Sequence, residues 1–285
     1  MHLPLLFLLL LISQVLVANE PIDVLLKVKQ KKNELHVKVG IKNNIISPEL
    51  AKRKNIPLYY IPSIIIKADE NTLASAYLSP YFGHYRFINI VALKFRKKTD
   101  INMLHLLVTD SNAQIIKKSK QIKHNIPNTS PQKLNKKFKA FQNPSSTVTK
   151  ATNSQDAIKA LYGLTQTIEG NFTIEFNGDS VIKLDDGMCN GNGGHLNMSI
   201  KSDIKLNSLA IFQDANKYST IAIFHDNQSL IYYYKLNFSI KKTSLIRVVG
   251  RGIDGILYES QSKMYVIPGS HRDCYGNVSG PYMVY

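Results

Sequence analysis

Tryptophan is absent from this chain, and cysteine occurs only twice, as Cys189 and Cys274. Two cysteines are too few for the dense disulfide frameworks of small secreted domains, so a hydrophobic core has to carry the fold. The material for one is present: 44% of the 285 residues are apolar, and 15 Tyr and 11 Phe supply aromatic bulk. That is enough chain for one large domain or two of immunoglobulin size. Acidic residues are also scarce. None occurs from Ser111 to Gln155, and 20 Asp and Glu face 36 Lys and Arg, a formal charge of +16. Such an excess attracts anions at long range, although surface lysines also serve as plain solvated charge.

Chemical signatures are missing as well. The sequence holds no glycine-rich phosphate loop, no H-E-x-x-H and no G-x-S-x-G, and it offers no carboxylate pair or Ser/His/Asp set at a defined separation. No strand alternates with a long helix, which argues against an α/β enzyme fold. A non-enzymatic protein without a cofactor is the expectation.

Only one long apolar run is present, "MHLPLLFLLLLISQVLVA" at 1–18, followed by the polar "NEPID". Its length and small final residue read as a signal peptide cleaved near Ala18, although its first residues carry no Lys or Arg. No later stretch is apolar for about 18 residues, so no membrane insertion is expected after cleavage. The expected destination is periplasmic, where two cysteines can be oxidised. Export argues against a nucleic-acid role despite the charge.

What is there reads as strand. In "ELHVKVGI" Leu35, Val37, Val39 and Ile41 fall on one face, the period of a half-buried strand. "YYIPSIIIKAD" and "NIVALKF" are further strand candidates, and "LHLLVTDSNAQIIKKSKQI" reads as a hairpin around a "TDSNAQ" turn. Only "SPELAKRKN" (47–55) looks helical in this half, with Ser47 as cap and Pro48 in the first turn. Residues 125–155, rich in Pro, Ser, Thr, Asn and Lys, suit a basic linker. A short helix, "SQDAIKALYG" (154–163), follows, with Ser154 as its cap and Gly163 closing it. Seven or eight short strands then recur, from "NFTIEF" to "GILYESQ" and "KMYVIPG". "IYYYKLNF" (231–238) among them reads as strand core and rim rather than an aromatic binding surface. The fold class expected is all-β: two Ig-like β-sandwich domains, 19–124 and 156–285, joined by the basic linker.

The order of these features resembles a known family. Residues 22–123, through "KVGIKNNIISPELAKRKNIPLYYIPSIIIKADENTLASAYLSPYFGHYRFINIVALKF" and "LLVTDSNAQ", resemble SoxZ, a subunit of the bacterial thiosulfate-oxidation carrier. Residues 156–277, through "DAIKALYG", "NGNGGHLNMSI", "LNSLAIFQDANKYSTIAIFH" and "IRVVGRGIDGILYESQSKMYVI", resemble its partner SoxY. The resemblance is to a fused carrier pair with the SoxZ-like half first. It implies a sulfur-compound carrier that holds a thiosulfate-derived group on a C-terminal cysteine, here Cys274. It implies partners too: a c-type cytochrome complex that loads the thiol and a hydrolase that releases sulfate. The family's SoxY chain ends in Gly-Gly-Cys-Gly-Gly, whereas this chain has "PGSHRDCYGNVSG" followed by "PYMVY". Fused relatives that lack the reactive cysteine are associated with quinoprotein dehydrogenases, so a periplasmic dehydrogenase is the other implied partner.

Three roles for Cys274 stay open. As a carrier thiol it has His271 and Arg272 beside it, cationic neighbours that lower a thiol pKa and attract sulfur oxyanions, while Asp273 opposes them. A Cys189–Cys274 disulfide would close a loop of about 85 residues, worth about 4–5 kcal/mol in the chain-entropy picture, and would block constitutive carrier chemistry. Cys189 with His195 (C-x5-H) and His271 with Cys274 (H-x2-C) supply a Cys2His2 set for zinc or Cu(I), at spacings unlike a standard finger.

Overall fold

The structure, a computed structural model, describes residues 22–31, 34–42, 45–83, 88–96, 101–122, 143–177, 181–184, 187–190, 195–226 and 230–266. In the first half these form β1 (Asp23–Lys31), β2 (Glu34–Lys42), α1 (Pro48–Lys54), β3 (Ser63–Ala68), β4 (Asn71–Leu78), β5 (Ile88–Arg96), β6 (Met103–Thr109) and β7 (Ile115–Gln121). The second half opens with α2 (Ser146–Thr149), α3 (Ser154–Tyr162), β8 (Ile168–Glu169), β9 (Phe172–Asn177), β10 (Val181–Leu184) and β11 (Gly187–Asn190). It continues with β12 (His195–Ser202), β13 (Leu206–Gln213), β14 (Thr220–Asp226), β15 (Leu230–Ser239), β16 (Ser244–Gly252) and β17 (Leu257–Val266). The chain is the expected all-β sandwich.

Local chemistry explains the elements. The period-2 pattern of β2 buries Leu35, Val37, Val39 and Ile41 completely, while Lys38 and Lys42 face water. Ser47 caps α1, its hydroxyl accepting from the Leu50 N–H at 3.3 Å, and Asn55 ends the helix in the left-handed region. In the β6–β7 turn the buried Asp110 carboxylate accepts from the N–H groups of Asn112 at 2.9 Å and Gln114 at 2.8 Å. It thereby satisfies turn donors that would otherwise be left without a partner. The cap of α3 differs from expectation. Asn153 fills it, its side chain accepting from the Asp156 N–H at 2.8 Å, and Ser154 is the first helical residue instead. Ser154 is held by Asp214, which accepts from both its N–H and its hydroxyl. "LYESQ" and "KMYV" belong to one ten-residue strand, β17, because β16 pairs with it across Ser262, from Leu257 to Met264. Part of the basic stretch is packed: Val148 of α2 is buried with Ala157, Ile158 and Tyr162 of α3 against Phe212, Ile223 and Val249 on the outer face of the larger sheet.

The two halves share both sheets. β4 pairs antiparallel with β14, Tyr77 opposite Ile223, and β5 pairs with β15, Val91 opposite Leu236. One sheet therefore has six strands in the order β1-β2-β5-β15-β12-β9. The other has eleven, ordered β10-β11-β17-β16-β13-β14-β4-β3-β6-β7 with β8 on β17. Between them runs a core to which both halves contribute. Phe82 and Phe95 come from the first, and Phe224, Tyr234 and Phe238 from the second. The rings of Phe224 and Tyr234 stand 5.1 Å apart at a tilt of 48°. Tyr234, Leu236 and Phe238 of the aromatic stretch thus supply strand core, as the alternation indicates.

The seam carries a titrating group. His225 of β14 lies opposite Ser75 of β4, and burial pushes its pKa below the usual 6.5. The folded state then binds fewer protons than the unfolded one, so stability is full above pH 6.5 and falls as pH drops below it. Denaturant midpoints at about pH 7.5 and about pH 5.5 should show this loss, and His225→Phe should shrink it. An unchanged loss in the variant would place the sensitivity elsewhere.

Candidate functional site

Cys189 sits in β11, a four-residue strand between β10 and β17. It faces Ile182 on the antiparallel side and Tyr265 on the parallel side, and it is 2% exposed. It is disulfide-bonded, and the chain's other cysteine is Cys274. Cys274, His271 and Arg272 lie outside the described residues. β17 ends at Val266, eight residues before Cys274, so an extended chain of at most about 28 Å separates the strand beside Cys189 from Cys274.

His195 is not near this strand in the sheet order. It starts β12 in the six-stranded sheet, whereas Cys189 belongs to the eleven-stranded one. Among the described residues no cluster of three or more His, Cys, Asp or Glu side chains has the arrangement of a metal site.

His195 instead lines a cleft of about 330 Å³ built from both halves. Ser47, Glu49 and Tyr81 come from the first half, and Asn216, Ser239 and Lys241 from the second. Lys241 pairs with Glu49 at 2.7 Å, and the Tyr81 hydroxyl donates to the same carboxylate oxygen at 3.0 Å. Burial raises the Glu49 pKa, but the hydrogen bonds from Lys241 and Tyr81 outweigh it, and the carboxyl is held below its usual value. Tyr81 moves the other way, pushed up by burial and by the Glu49 charge.

Ser239 and His195 form a hydroxyl–imidazole pair at 2.9 Å. Ser239 Oγ also stands 3.1 Å from the Gly83 carbonyl oxygen, so its single proton serves either that carbonyl or the imidazole. The site joins residues far apart in the chain, and no motif signals it. Of its residues the sequence singles out Ser47, as a helix cap, and His195, as a candidate metal ligand.

Gly83 is the tight point of this cleft. Its φ of +79° is left-handed, and a Cβ there would stand 2.3 Å from Asn89 Cγ. Gly83→Ala should cost about 1–3 kcal/mol in thermal or urea unfolding. Gly255→Ala, at φ +85° but with nothing within 4 Å, should cost less. Equal losses would show that backbone conformation, not the close approach, sets the requirement.

No family model matches the chain, and no curated protein matches it. Among solved structures, the sulfur carrier protein SoxY from Chlorobium limicola f thiosulfatophilum is similar over 40% of this chain and 92% of its own. The identity there is 21% and the TM-score 0.33. The fibronectin(III)-like modules of Clostridium thermocellum CbhA align over 85% of this chain and 94% of theirs, at 8% identity and TM-score 0.23.

Proposed function

We propose that this chain is an exported, non-catalytic Ig-like accessory protein whose C-terminal segment is stapled to the sandwich by a Cys189–Cys274 disulfide. In this reading it serves a periplasmic oxidoreductase as a binding partner. One observation carries it: Cys189 is disulfide-bonded, and Cys274 is the single other cysteine. A sulfur held in a disulfide offers neither a thiolate to a metal nor a nucleophile to a sulfur compound.

A second reading follows from the position of the bond. Cys189 is buried within the sheet, so opening the disulfide with a dithiol, by exchange of two electrons and two protons, frees the Cys274 thiol and leaves Cys189 enclosed. Cys274, flanked by His271 and Arg272, would then hold a thiosulfate-derived group. Loading is a two-electron oxidation that joins thiol to thiosulfate with loss of a proton. A c-type cytochrome complex is the electron acceptor in this scheme, and a hydrolase later releases sulfate.

Intact-mass measurement of protein from the native compartment separates the two. The staple predicts no alkylation without reductant, a mass two hydrogens below the dithiol form, and two alkyl groups after reduction. A reducible adduct on Cys274, with Cys189 alkylated before reduction under mild denaturation, would overturn the staple and establish the carrier. Two free thiols at the outset would overturn the staple and leave Cys274 available for loading.

A further inference from the structure

The six-stranded sheet has one face in the core and one in water. Strand register decides which charges share the outer face. Lys27 of β1 stands opposite Lys38 of β2, and Lys38 opposite Ala92 of β5, which in turn faces Lys235 of β15. One row along, Lys29 faces His36, and His36 faces Lys94. Lys31, Lys42 and Arg96 extend the same face toward the strand ends, and Lys201 lies beyond on β12.

Nine basic side chains thus share this surface with three acidic ones, Asp23, Glu34 and Glu175. Two of the acids are engaged locally: His36 bonds Glu34 at 2.5 Å, and Lys201 bonds Glu175 at 2.9 Å. Among the described residues, none of Lys27, Lys29, Lys38, Lys94 and Lys235 forms an ion pair with a carboxylate. Lys94 lies over the ring of Tyr233 at 4.2 Å, which holds its charge against the sheet. Strands are about 4.8 Å apart and same-face residues about 6.8 Å apart along a strand, so the lysines form a flat lattice of positive charge.

We propose that this face is a docking surface for an acidic protein. The residue types favour that occupant. Lysine is a point charge without the planar fork that fits phosphate, and here it outnumbers arginine eight to one. Among the described residues, Leu25, 38% exposed, is the one large aliphatic side chain on the face that is exposed, so there is little to insert into a bilayer. A rigid, charged surface without an apolar centre gives fast, salt-sensitive and short-lived association, as suits a partner that must come and go. The surface lies on the sheet that does not contain Cys189, so the inference stands whether or not the disulfide is confirmed.

The test uses the full chain and a polyglutamate peptide as probe, followed by fluorescence anisotropy at about 0.02 M and about 0.15 M salt. Binding should weaken steeply with salt. Lys27→Glu/Lys29→Glu/Lys38→Glu should weaken it about tenfold or more. Lys117→Glu/Lys159→Glu/Lys205→Glu, with the same change in net charge on other surfaces, should weaken it less than about threefold. Lys27→Gln/Lys29→Gln/Lys38→Gln, checked by thermal melting, repeats the test should the charge-reversed protein not fold. Equal losses in both sets would overturn the proposal in favour of non-specific attraction. Anionic phospholipid vesicles binding more tightly than polyglutamate through the same lysines would overturn it in favour of a membrane surface.

Discussion

Cys189→Ala and Cys274→Ala should each lower the stability of the oxidised protein by on the order of 4–5 kcal/mol, and the double substitution should add little to either. The bond proposed between them closes a loop of about 85 residues, which removes much of the conformational freedom of the unfolded chain. It also acts where the sheet is only lightly secured. β11 pairs with β17 through three residues, Met188 with Met264, Cys189 with Tyr265 and Asn190 with Val266, and β10 beyond it is four residues long. Urea denaturation with and without reductant is the measurement. Reductant should reproduce the loss in the unmodified protein and have no effect on any of the three variants. A loss confined to Cys189→Ala would reveal only the packing of a buried side chain, and the staple would then be rejected.

Breaking the Arg247–Glu259 pair should cost about 3–5 kcal/mol, because removal of one partner leaves the other charge enclosed. Their side chains are 15% and 7% exposed. The contact is two-pronged, Nε to Oε1 at 2.5 Å and Nη2 to Oε2 at 2.9 Å. Thr167 and Gln261 each donate to the carboxylate at 2.8 Å. The other arm of Arg247 donates to Ser154 Oγ at 3.0 Å and to Gln155 Oε1 at 3.3 Å, so the pair pins the start of α3 to β16 and β17. Burial raises the Glu259 pKa, but the Arg247 and Thr167 hydrogen bonds outweigh it, and the carboxyl titrates below its usual 4.5. The unfolded state therefore takes up the proton first. The contribution is complete above pH 4.5 and is lost as pH falls through the lower, folded-state value. Glu259→Ala should flatten that acid limb in urea titrations and speed amide exchange in α3, while Arg247→Met/Glu259→Leu should recover much of the loss. Unchanged exchange in α3 would show that the pair stabilises the sheet alone.

Much of the fold is written in short stretches. Period-2 alternation marked the buried face of β2 residue by residue, "SPELAKRKN" carried its own start and stop, and "TDSNAQ" announced a turn that Asp110 closes. Other elements were less legible for physical reasons. β10 and β11 are only four residues long, too short for a period to emerge. The α3 cap was displaced by one residue because Asn153 and Ser154 both suit that role, and Asp214, distant in sequence, takes Ser154 for itself. Val148 is the one large apolar residue between Phe141 and Ile158, and it is buried because α3 folds back beside it on the outer sheet. The Cys189–His195 spacing suggested proximity, yet the two residues belong to different sheets.

The sequence by itself determined that this chain is all-β, where many of its strands lie and which face of β2 is buried, because side-chain alternation and turn chemistry are local properties. Beyond the β6–β7 hairpin, the choice of neighbouring strands belongs to the tertiary structure. The pairing of β4 with β14 and of β5 with β15 is made by backbone groups that every residue but proline carries, so nothing in residues 71–78 names residues 220–226 as their partner. That choice of neighbours runs both sheets through both halves and brings Glu49 to Lys241. It also collects lysines from β1, β2, β5 and β15 on one face.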